Sequence, residues 1–227
     1  MQVKFIRVGS DMGCGGRLSR MFPHNYYHFV PIPQHNDPEF CRFTYGDVNR
    51  GTKLRSLQTS RKNDVLVFYA GFDPDGGCKQ RRCIGVFSYL VVAEVFLFEK
   101  RKQLAFRVSD SERSKADPQE TLRKRGSKPA FKRMRRKYGR YNAHLAHDRD
   151  CAEMEILICG NRKKSRLLSK VEVLAYARWK SGKYILDASR AKKWGLKPGA
   201  DVTRSSVRTV EEPHAVKDVV ARLKRLS

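Results

Sequence analysis

The sequence predicts an α+β fold: a mixed, partly closed β-barrel with flanking helices and a basic insertion, all within a single domain over residues 1–227. Three observations predict it. Residues 65–70 and 84–98 are apolar runs rich in Val, Ile, Phe, Tyr and Leu, which suit a buried pleated surface. The link between them carries Asp-Pro, Asp-Gly and Gly-Gly steps, the chemistry of a turn, so the pair reads as a long-looped antiparallel hairpin. Residues 99–140 then hold sixteen Lys/Arg against five Asp/Glu with few apolar positions, the composition of an exposed, partly disordered insertion.

The elements follow in order. Residues 3–8 are a short apolar run and a first strand. Residues 10–17, SDMGCGGR, form a glycine-rich loop whose backbone can approach a ligand and whose amides can cradle an anion. The alternative is a plain tight turn, because neither a Walker loop nor a GxGxxG pattern is present. Residues 24–33, HNYYHFVPIP, are extended, with prolines giving edge character. Residues 35–47 are loop-like. Residues 50–60 hold a helical turn with Leu54 and Leu57. The run 84–98 exceeds an ordinary strand, so a bend or bulge is expected near residues 85–88; a helix is the competing reading.

Residues 153–159, EMEILIC, are a strand, and 160–166 a basic loop. Residues 171–179 and 183–186 resemble a strand pair around Ser181-Gly182. Residues 188–194 are a short helix stopped by Gly195. Residues 211–226 are the clearest helix: Pro213 suits the first turn, and Val216, Val219, Val220 and Leu223 share one face.

Composition bounds the function. Forty per cent apolar residues exclude a disordered chain, and no uncharged run of about 18 apolar residues exists. With no signal-peptide core at the N-terminus, a cytoplasmic protein without a membrane partner is expected. Lys and Arg number 48 against 23 Asp and Glu, a net charge of +25. A polyanion neutralises such a surface and releases its own counterions, so nucleic acid leads as partner. The six cysteines contain no C-x2-C pair and read as reduced thiols, without structural metal. Cys14, His24, His28 and Cys41 are the least poor alternative ligand set. No cofactor fingerprint is present, and none is expected.

At the central hairpin, "ND-VLVFYAG" and "IGVFSYLVV" resemble the strand pair of PUA-like and EVE-like domains. Ser10, Asp11, Gly13, Gly15 and Gly16, with Pro31-Ile32-Pro33, are similar to a motif of the nucleotide modification associated domain families. Asp37-Pro38, Tyr45-Gly46-Asp47, Asn142, His144 and residues 165–168 extend the likeness, which covers roughly residues 1–98 and 142–175. The resemblance implies a PUA/EVE-like barrel, an association with DNA base modification and its partner enzymes, and DNA ahead of RNA as polymer. It implies no catalytic mechanism.

Two functions follow. As a binding module, the chain holds a nucleotide, with or without a modified base, at the barrel mouth with Ser10, Asp11, Gly15, Gly16, Arg17, Tyr45, Tyr69, Ser165 and Arg166. Phosphates are gripped by Lys132, Arg133, Arg135, Arg136, Lys137, Arg140, Lys163 and Lys164. As a base-modifying enzyme, it uses Asp11, Asp37, Asp47 or His144 for proton transfer. Each of these carboxylates has the alternative role of capping a turn. A structural RNA-binding protein is the third reading.

Overall fold

The computed structural model describes residues 1–8, 38–40, 42–48, 52–72, 83–109, 117–139, 142–146, 154–176, 183–202 and 207–227. The fold is α+β with a mixed sheet. The chain divides into two compact units. One comprises Met1–Gln34, Asp64–Leu90 and Ser165–Ser227; the other comprises His35–Asn63 and Val91–Lys164. Among the described residues strand pairing runs as an open path through the strands at 44–48, 155–160, 83–99, 65–72, 3–7 and 208–210, with those at 104–107 and 166–176 also paired to 83–99.

In the first unit, β1 (Val3–Arg7) pairs in parallel with β3 (Val65–Phe72), Val3 opposite Val65 and Arg7 opposite Tyr69. β8 (Arg208–Val210) covers the other edge of β1, antiparallel. β3 neighbours β4 (Cys83–Glu99), so the two apolar runs are strands side by side. The first part of β4 pairs antiparallel with β7 (Arg166–Tyr176), and its register shifts at Ile84/Gly85 and Val86/Ser88. The expected bend near residues 85–88 is therefore present as bulges. Gly85 permits it: a Cβ there would lie 2.2 Å from Val171 Cγ1.

α5 (Ala188–Lys193) is capped by Asp187, and the buried Trp194 behind it meets Phe5 edge-on at 5.7 Å. α6 (Pro213–Arg225) starts at its proline, and the Glu212 carboxylate accepts from the His214 and Ala215 N–H groups. Val216, Val219 and Leu223 are its buried face. Two expectations change. β7 begins at Arg166 and takes β4 as partner, and Ile185 bridges Asp201 instead of pairing across Ser181-Gly182. Cys83 is disulfide-bonded, which corrects the reading of all six cysteines as reduced thiols; Cys159 is a free, buried thiol.

In the second unit, the later part of β4 pairs antiparallel with β6 (Glu155–Gly160) and with β5 (Leu104–Arg107). β2 (Thr44–Val48) pairs antiparallel with β6 on its other side. Local chemistry hides β2, since its Gly46 and Asp47 are poor strand formers; pairing with the apolar β6 overrides that preference. α1 (Thr52–Gln58) buries Leu54 and Leu57, as their spacing requires.

Much of the basic segment is helical. Residues 117–139 are ordered: α2 (Pro118–Arg125) and α3 (Lys128–Tyr138) are N-capped by Asp117 and Ser127. Phe131, Met134 and Tyr138 enter one apolar cluster with Phe98, Ala105, Leu145, Leu157 and Cys159. The i, i+3, i+7 spacing of these three apolar residues makes α3 amphipathic, and the density of lysine and arginine between them masks that pattern in the composition. Residues 110–116 and 140 lie outside the described residues. Among the described residues no helix is long and apolar enough to cross a membrane.

Phe131→Ala removes the ring that meets Phe98 at 6.3 Å. It is expected to cost about 3–5 kcal/mol, as for large-to-small changes in a packed core. Denaturant unfolding measures this directly; an unchanged midpoint would mean that α3 is not anchored.

Candidate functional site

The second unit gathers Tyr45, Gly46, Asp47, Asn142 and His144, all singled out in the sequence. β2 carries Tyr45, Gly46 and Asp47. The Tyr45 hydroxyl donates to Asp47 Oδ2 at 3.1 Å, and Nζ of Lys53, the second residue of α1, meets the same oxygen at 2.6 Å. The Lys53 ammonium also lies 5.3 Å from the centre of the Tyr45 ring. Asp47 is thus a charged acceptor already engaged by a phenol and an ammonium.

His144 follows from α4 (Ala143–Ala146). Asn142 fixes its approach: its Nδ2 donates to Thr44 Oγ1 at 3.1 Å, and its Oδ1 accepts from the His144 N–H at 2.9 Å. The His144 ring lies directly on Gly46, where a Cβ would come within 2.3 Å of Cδ2. Only glycine allows the imidazole this close to β2. His144 Nδ1 meets Glu155 Oε2 at 2.6 Å, with side chains 6% and 0% exposed. With the proton on Nδ1, the imidazole donates to this carboxylate oxygen. Glu155 Oε1 has no hydrogen-bond partner among the described residues, an unusual state for a buried carboxylate oxygen. The pair has the geometry in which a carboxylate orients an imidazole for proton transfer.

The other candidates fall elsewhere. Tyr69 belongs to the first unit, fully enclosed, with its hydroxyl accepting from Arg208 Nη1 at 2.8 Å. Burial pushes its pKa up, against the opposing charges of Arg208 and Arg7. It packs in the core and offers no ring face to a base. Ser165 is buried in the first unit, and the exposed Arg166 donates back to its carbonyl. Ser10, Asp11, Gly15, Gly16, Arg17, Asp37 and Arg140 lie outside the described residues, as do Cys14, His24, His28 and Cys41.

α3 presents the basic candidates. Its residues include six cations and no acid. Lys137 is tied to Glu94 at 3.0 Å. Lys128, Lys132, Arg133, Arg135 and Arg136 are exposed and make no ion pair among the described residues. Lys163 and Lys164 are exposed on the turn before β7.

Sequence reasoning missed Glu94 and Glu155. Both are carboxylates inside apolar strands, and such an interruption signals a charged or hydrogen-bonding partner. Glu94 accepts from the Tyr138 hydroxyl at 2.7 Å and pairs with Lys137 and with Arg107, the latter at 3.3 Å. Burial alone would raise its pKa; the hydrogen bonds from Tyr138 and Lys137, with the nearby positive charges, overcome this and hold it below its ordinary value. Beside it, burial pushes the Cys159 thiol and the Tyr138 hydroxyl upward, so both stay neutral.

Comparison with protein-family models, curated proteins and solved structures finds no match.

A depressed folded-state pKa adds stability that is complete above the unfolded value and is lost as pH falls through the folded one. The Glu94 contribution should therefore be full at pH 7 and fade below its ordinary value of 4.5. Melting temperatures of the wild type and Glu94→Gln should differ at pH 7 and converge toward pH 3. A gap independent of pH would remove Glu94 from the acid response.

Proposed function

We propose that this chain is a nucleic-acid-binding protein associated with base modification, acting in the cytoplasm, with DNA ahead of RNA as its polymer. On this reading the sheet is a PUA/EVE-like, partly closed barrel, and α3 is its grip on phosphates. One observation carries the reading. Five cations on an 11-residue helix are exposed without an ion-pair partner among the described residues, while the apolar side of the helix is anchored. Folding has no use for those charges, and their mutual repulsion opposes it. A polyanion relieves the repulsion and gains counterion entropy. The resemblance of the β3–β4 hairpin to base-recognising domains supports the link to modification.

Replacing Lys132, Arg133, Arg135 and Arg136 together with Ala should weaken binding to a DNA duplex. It should also flatten the dependence of log K on log salt by roughly 0.9 for each phosphate no longer neutralised. Stability should hold, because exposed changes cost under about 0.5 kcal/mol each and alanine favours helix. Unchanged affinity with an unchanged melting temperature would show that α3 is merely a solvated face.

A second reading, a base-modifying enzyme, is favoured by the His144–Glu155 pair at 2.6 Å, whose second carboxylate oxygen has no partner among the described residues. Asp47 lies on the neighbouring strand as a further carboxylate. Here an oligonucleotide incubated with the protein in cell extract should change mass, and His144→Gln should abolish the change while DNA affinity stays. An unaltered mass with the wild type leaves the binding reading alone.

A further inference from the structure

The first unit contains an open groove of about 330 Å³ between β7 and α5, lined by none of the candidate residues named above. Tyr176, the last residue of β7, lies in it, half-buried. The Arg190 guanidinium stands 5.1 Å from the centre of that ring. Asp187, which caps α5, also binds the Arg190 side chain and so fixes the cation over the aromatic face. Lys170 and Lys193 line the groove, both exposed and without an ion pair among the described residues. Its carboxylate, Glu172, is already paired with Arg222.

We infer that this groove binds a phosphorylated nucleoside, with the base added to the Tyr176–Arg190 stack and the phosphate held by Lys170 and Lys193. The chemistry selects this class. Two unneutralised lysines call for an anion and reject a metal ion. A guanidinium fixed on a phenol ring supplies the flat, polarisable surface on which any nucleobase stacks. The volume lies at the small end of ligand pockets, which suits one nucleotide and not a dinucleotide cofactor. The ligand is a free nucleotide or the phosphorylated end of a strand, since both present the same groups.

The test is calorimetric titration of the full chain with adenosine 5′-monophosphate, inorganic phosphate and a 5′-phosphorylated dinucleotide. The wild type should bind the monophosphate saturably. K170E/K193E, on exposed positions that leave the fold intact, should weaken it at least tenfold. Tyr176→Leu should weaken it about 5- to 100-fold while leaving inorganic phosphate unaffected. Alanines on α3 should change none of these values. Tighter binding of the dinucleotide assigns the site to strand ends; tighter binding of the monophosphate assigns it to free nucleotide. No saturable binding at millimolar monophosphate, or equal affinity in both variants and the wild type, overturns the inference.

Discussion

The backbone of β4 is the constraint on which the rest of the structure depends. Its 17 residues are flanked by β3 and β7 in one unit and by β5 and β6 in the other. A strand of ordinary length has about five or six residues. One three times longer accumulates twist that no flat ladder can follow. Register shifts at Ile84/Gly85 and Val86/Ser88, within the pairing to β7, and at Val92/Glu94, within the pairing to β6, take up such twist. Gly85, which lets Val171 approach, is part of this solution and no weak point in it.

Charge in this protein is sorted by its partners. Asp47 holds Lys53, Glu94 holds Lys137 and Arg107, and Glu172 holds Arg222, each carboxylate being partly shielded from water. These cations belong to the architecture. The other five cations of α3 and the two lysines beside Tyr176 have no such role among the described residues, and they stand on two separate units. Net charge in the sequence cannot make this distinction; it needs the positions of the few carboxylates.

Much of the fold was legible because its signals were local. The apolar runs of β3 and β4, the bulge, the Leu54–Leu57 turn and the proline-led α6 each carry their pattern in a short window. What was hidden depends on distant partners. β2 looks like a loop until β6 pairs with it. α3 looks like a disordered tract because three apolar residues among six cations leave mean hydropathy low, although their spacing is helical. In the site, Tyr45, Asp47 and His144 could be picked out by residue type and motif. Glu155 could not, since its role appears only when α4 brings the imidazole to the head of β6. Tyr69 shows the converse: an aromatic residue at a strand end has the same sequence signature in a core as in a pocket.

The anchoring of α3 also has a thermodynamic consequence. A basic tail that folds on its target surrenders part of its interaction energy to conformational entropy. Here Ser127 already caps the helix, and Phe131, Met134 and Tyr138 already fix it. The cations are carried in advance on a rigid frame, and only their own side-chain rotamers remain to be ordered. A polyanion arriving at this face buries little new apolar surface, so its association should show a small heat-capacity change, with the driving force in released ions.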